Sequence, residues 1–265
     1  MLTPDLRDVL AGEMTPKFLA TLDGEGRPNC VPVISIAPWD DTTLVFGEFF
    51  MNKSRKNLAV NENVGVVVLN DRLDAWSLKG TFRGFETTGP HIDWINQQPL
   101  FRYNAYTSVR SAGTIAIEEI SKKSTLSPTA LLAGYACARC AARAFGRSAS
   151  PIMPPRVLEK FRRLRAVRAI AFRDADGFPR AVAVMACVAA GPSRLLARGP
   201  MLDAYRAGLS VGTGVAVAII TMDPVAYQVK GVYQGRRAGC HMIDLEECYS
   251  ASPPLLGERL DGVQP

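Results

Sequence analysis

One offset constrains this chain more than any motif in it. The segment TLDGEGRPNCVPVISI, from Thr21, and the segment FRDADGFPRAVAVMAC, from Phe172, place Asp, Gly and Pro at matched positions. Asp23 aligns with Asp174, Gly26 with Gly177 and Pro28 with Pro179, a shift of 151 residues. The same shift carries Lys79-Gly80 onto Lys230-Gly231, Trp76 onto Tyr227 and Pro4 onto Pro155. A shift kept without a gap over a domain length means two copies of one fold. The copies are expected over residues 1–120 and 152–265.

Each copy opens with a short amphipathic helix, PDLRDVLAG or PPRVLEKFRRL. Two strands around an Asp-Gly turn follow, since such residues accept the positive φ of a hairpin. A strand (TTLVFGE, SRLLARG), a short helix (KSRKNLAVN, LDAYRAGLS) and two longer strands complete the pattern. Strands outnumber helices and are joined by short turns. This predicts a mainly β, antiparallel barrel with helices, present twice in tandem. Residues 121–151 lie outside the repeat. There SPTALLAGYACARCAARAFG predicts a connecting helix and RSASPIMPP a linker.

The longest apolar stretches, VGVVVLN and VAVAIITM, are strand-sized, and the first residues lack the apolar core of a secretory signal. A cytoplasmic location is expected, with no membrane partner. Six cysteines in 265 residues do not make a disulfide scaffold. A net charge of +6 permits an anionic ligand without choosing one.

The densest chemistry is in FFMNKSRKNLAVNENVGVVV, where Lys53, Arg55 and Lys56 stand with Ser54 and Asn57 just before a buried strand. A phosphate monoester needs such cations and aimed donors, and a helix start could add backbone N–H groups. The stretch from Asp41 to Ile95 resembles the FMN-binding split-barrel family, which contains pyridoxamine 5′-phosphate oxidase and small bacterial FMN-binding proteins. The resemblance rests on Lys53-Ser54…Asn57, Asn61…Val64, Gly80 and Thr88-Gly89-Pro90, in order. It covers most of residues 15–120 and, more weakly, 167–250.

The resemblance implies an FMN cofactor whose phosphate is held by Lys53 and Ser54, with Arg55 and Asn57 as second choices. It also implies that Val31, Pro32, Val33 and Ile34 face the isoalloxazine. Pro32 lacks an N–H and sits badly in a central strand, so either it lies at a strand edge facing the ligand or the local geometry departs from the family's. An oxidoreductase acting on a small molecule is expected. The alternatives are an electron carrier without a substrate of its own, or a deazaflavin or haem in the same slot. No Arg-x-His occurs in the chain, so the substrate grip of a true pyridoxamine 5′-phosphate oxidase is missing.

Under the shift of 151, Lys53 becomes Ala204, Ser54 becomes Tyr205, Asn57 becomes Gly208 and Asn52 becomes Asp203. The resemblance implies homodimers with flavin near the interface, so the two copies are expected to pair as an intramolecular pseudo-dimer with one cofactor site per chain, walled by the second copy. The remaining signals have plainer readings. Cys137 and Cys140 form a lone CxxC on a helix, and no common metal spacing joins Cys240, His241 and Cys248. His91 falls at a helix start and Trp76 in a core. RVLEKFRRLRAVR reads as a packed helix with Val157, Leu158, Phe161 and Leu164 inward, not as a nucleic-acid arm.

Overall fold

The computed structural model describes residues 1–49, 51–98, 109–146, 150–223, 225–252 and 255–260. Its first sheet is built from β1 (Lys17–Leu22), β2 (Pro28–Pro32), β3 (Ala37–Pro38), β4 (Thr43–Gly47), β5 (Asn63–Leu69), β6 (Asp74–Glu86) and β7 (Ala112–Ile120). Their spatial order is β2-β1-β5-β6-β7-β4-β3, with β8 (Ser124–Thr125) added beside β6. The second sheet contains β9 (Val167–Arg173), β10 (Pro179–Ala183), β11 (Ala186–Ala189), β12 (Arg194–Arg198), β13 (Gly214–Ile220), β14 (Ala226–Arg237) and β15 (Cys240–Ser250). Its order is β10-β9-β13-β14-β15-β12-β11, the first sheet repeated strand for strand. All pairings are antiparallel. The chain is mainly β, two split barrels in tandem.

Among the described residues, six α-helices accompany the sheets: α1 (Pro4–Ala11), α2 (Asn52–Leu58), α3 (Pro90–Gln97), α4 (Pro128–Phe145), α5 (Pro155–Phe161) and α6 (Pro200–Ala204). α4 is the predicted connecting helix and lies on β11 and β12. α5 is shorter than its pattern suggested. It ends at Phe161, so Leu164 falls past the helix and is exposed, while Val157 and Phe161 are buried. Among the described residues, no helix is long and apolar enough to cross a membrane.

The halves share a core. Alternation along β1 and β5 sends Leu19, Val64, Val66 and Val68 into the first barrel, and Phe18, Ala20, Val67 and Leu69 toward the second half. There they join Ile170, Val182 and Val217 in one apolar cluster. The approach is close: a Cβ on Gly65 would sit 2.3 Å from the Pro179 carbonyl oxygen of β10. Gln228 Nε2 also donates across the boundary to the Cys30 carbonyl.

The repeated Lys-Gly pair has a physical role at this boundary. Register shifts fall between Lys79 and Gly80 and between Lys230 and Gly231, in the two equivalent strand pairs. A Cβ there would lie 2.5 Å from the Ala116 oxygen or 2.0 Å from the Asp244 oxygen, so only glycine fits. Each bulge turns its lysine toward the other half. Lys79 Nζ bonds Asp174 Oδ2 at 2.9 Å and also reaches Asp176, on the second half's hairpin turn. Lys230 is drawn by Glu247 and by Asp23 of the first half's turn.

Candidate functional site

α2 has seven residues, too few to concentrate much dipole at its start, so it offers the neighbouring cleft side chains rather than a helix end. Lys53 and Ser54 sit in its first turn and line a cleft with Asn29, Val31, Pro32 and Met51. The opposite wall comes from the second half, through Gln228, Tyr249, Ser250 and Leu256. The volume between them is about 160 Å³.

Lys53 Nζ stands 3.1 Å from the centroid of the Tyr249 ring, a cation–π contact across the boundary. No carboxylate lies within ion-pair reach of Lys53 among the described residues. Its pKa is lowered to about 8, first by lost hydration and then by the charge of Lys230; Arg259 and Arg27 add to this and Glu247 opposes it. Beside it, Ser54 Oγ accepts a 3.2 Å hydrogen bond from Asn29 Nδ2. Asn29 is 1% exposed, yet its Oδ1 has no partner. Turning that amide over would present Nδ2 as the unused group and let the Ser54 hydroxyl donate to Oδ1. A buried amide with spare hydrogen-bonding capacity and an ammonium among like charges together make a seat for a compact anion.

The other expected site residues divide between the cleft and its surroundings. Pro32 lies at the end of β2, the sheet's edge strand, and faces the cleft with Val31. Val33 turns into the first barrel's core, and the Ile34 carbonyl accepts from Lys17 Nζ at 3.0 Å. Arg55 pairs with buried Glu48 and lies over Phe85. Desolvation raises the Glu48 pKa, but hydrogen bonds from Ser111 and Arg55 outweigh it, and the carboxyl titrates below its usual range. Asn57 donates to Thr21 Oγ1 at 2.9 Å and ties α2 to β1. Asn29, Gln228 and Tyr249 had no signal in the motif, because two of the three belong to the other copy.

The second half has closed its equivalent seat. Arg180 stands where the shift places Asn29, and its guanidinium lies 4.4 Å from the ring of Tyr205, the counterpart of Ser54. Its Nε bonds Asp174 at 3.1 Å and its Nη2 bonds Glu119 at 2.9 Å. That cation is already neutralised.

The minor signals resolve as follows. Trp76 is buried in the first barrel. Cys137 and Cys140 are exposed on α4, and Cys240 and Cys248 are buried. Among the described residues, no cluster of three metal-binding side chains occurs. His91 Nδ1 is 2.8 Å from Glu86, with its ring against Trp39.

Residues 2–120 match the pyridoxamine 5′-phosphate oxidase family. The match spans the first split barrel. HupZ of Group A Streptococcus is 24% identical, covering 46% of this chain and 98% of its own, with a TM-score of 0.40. An FMN-binding protein from Syntrophomonas wolfei is 16% identical over 46% of this chain and 84% of its own, with a TM-score of 0.39. An F420 reductase is 20% identical over 46% and 99%, with a TM-score of 0.38. A comparison with curated proteins found no match.

Proposed function

We propose that the cleft between the halves binds FMN and that the protein is an FMN-dependent oxidoreductase acting on a small molecule. The observation that carries this reading is the seat itself: Lys53 without a carboxylate partner beside the half-used Asn29–Ser54 pair. A phosphate dianion would restore the Lys53 charge and take a hydrogen bond from Ser54 or from the turned Asn29 amide. Val31, Pro32 and Met51 offer an apolar surface to a ring system, and Tyr249 and Leu256 shield it from water. Bound flavin would supply hydride and electron transfer. The cleft is smaller than the roughly 300 Å³ of a typical ligand pocket. Loading therefore requires the cleft to widen. The missing Arg-x-His argues against pyridoxamine phosphate as substrate.

The test is titration of the protein and of Lys53→Ala with FMN and with riboflavin, followed by flavin fluorescence. A charged hydrogen bond contributes about 1.5–3 kcal/mol, so FMN affinity should drop roughly tenfold to a hundredfold. Riboflavin affinity should hardly change. Equal losses for the two ligands, or no binding of either, would overturn the reading.

A further inference from the structure

A cavity of about 380 Å³ lies under α4, and none of its lining residues belongs to the FMN seat. That volume is within the range of pockets that hold small molecules. Its roof is α4, through Leu131, Gly134 and Cys137, a helix that stands between the two copies and has no place in the repeat. Ala183 of β10 and Ala186 of β11 face it from the second sheet, with Met185 between them. The walls are mostly aliphatic, and among the described residues no aromatic ring lines them.

Arg198, the last residue of β12, also lines this cavity. Its side chain runs from α4 to the turn between β14 and β15. A Cβ on Gly134 would lie 3.9 Å from its Cδ, and one on Gly239 would lie 3.4 Å from its Nη1. The residue is partly buried, yet among the described residues its guanidinium has neither an ion pair nor a hydrogen bond. The shift of 151 puts Gly47 at this place in the first half. A Cβ there would already stand 3.0 Å from Phe49 and from Val109, so the first barrel has no room for such a side chain. The fold does not require this cation.

Asp203 is the other charged residue of the cavity, and it is already engaged. Its Oδ1 accepts from His241 Nε2 at 3.1 Å and pairs with Arg236 Nη1 at 3.2 Å. Arg236 offsets that carboxylate, which leaves Arg198 as the uncompensated charge. A guanidinium with its donors unused matches a carboxylate, which its planar fork can hold through two parallel hydrogen bonds.

We propose that this cavity binds a small carboxylic acid as its anion, with the carboxylate on Arg198 and an aliphatic body among Leu131, Ala183 and Met185. The proposal rests on this cavity and its charges, not on the FMN reading.

Octanoate and octanol share an aliphatic body and differ at the head, so they serve as probes. Isothermal titration of the full chain should show saturable binding of octanoate and binding of octanol at least about tenfold weaker, the worth of one hydrogen bond to a charged group. Arg198→Met should bring octanoate down to the affinity of octanol, and Arg198→Lys should restore part of the difference. Gly134→Leu, which sets a side chain between Ala186 and Arg198, should abolish binding of both probes. Lys53→Ala should leave octanoate binding intact. The proposal is overturned if octanoate does not bind saturably, if the two probes bind equally, or if Arg198→Met binds octanoate like the wild type. Loss of binding in Lys53→Ala would also overturn it, by assigning the carboxylate to the other cleft. Far-UV circular dichroism reports whether each variant keeps its fold; should Arg198→Met fail to fold, the comparison of the two probes and Gly134→Leu still decide.

Discussion

Replacing Lys79 by Met removes the cation that joins the first half to the second half's hairpin. Lys79 is 4% exposed and its Asp174 partner is largely buried, so the contact is shielded from water and salt. Breaking a buried pair costs about 3–5 kcal/mol when the remaining charge is stranded. Here Asp174 keeps Arg180 at 3.1 Å and Asp176 is half exposed, so the expected loss is lower, about 2–3 kcal/mol. The pH dependence follows from the same groups. Burial raises the pKa of both aspartates, but bonds to Lys79 and to turn N–H groups outweigh it, and both titrate below their ordinary values. Their contribution is therefore complete above about pH 4 and lost as pH falls through the folded values. Urea unfolding of the wild type and of Lys79→Met should differ at pH 7 and converge at acid pH. The matching Lys230→Met should cost less than about 1 kcal/mol, because Asp23 is already held by Arg27 and burial of Lys230 lowers its pKa. Equal effects of the two substitutions, or a gap independent of pH, would refute the argument.

Gly65→Ala drives a methyl into the Pro179 carbonyl and should cost at least about 2 kcal/mol by urea midpoint, as overpacking does; wild-type stability would contradict the close approach. Asn57→Ala should lose about 1–3 kcal/mol of stability with its bond to Thr21 while FMN affinity stays within error, and a large loss of affinity would place Asn57 in the seat. Because Lys53 titrates at about 8 and its protonated form attracts phosphate, FMN affinity should fall as pH rises through that value. Titrations of Lys53→Ala should lack that inflection; a shared one would assign it to another group.

The architecture was legible because the recurring residues are those a tandem barrel needs at its own boundary. Asp23 and Asp174 lie in turns that face the other half, and Lys79-Gly80 and Lys230-Gly231 make the bulges that reach them. The site was legible only on one side. Lys53 and Ser54 stand out within a single turn, but the wall they face is brought in from some 200 residues away by the fold, through Tyr249. The shift of 151 could not find it, since 25 residues stand between β6 and β7 but only two between β14 and β15. The pairing of Arg55 was hidden for a different reason. Its partner Glu48 sits at the end of a strand where nothing in the pattern marks it as buried. Asn29 had one faint marker, the Arg180 that takes its place in the second copy.

In a symmetric pair of identical chains every residue serves twice, so a coding change made for one pocket is imposed on the other. Here the equivalent positions are written separately, as Asn29 and Arg180, Ser54 and Tyr205, Asn52 and Asp203. A mutation can therefore reshape one pocket while the gene still specifies the other unaltered. Selection can act on the surroundings of Asp203 without touching those of Lys53, a freedom no homodimer of this fold possesses.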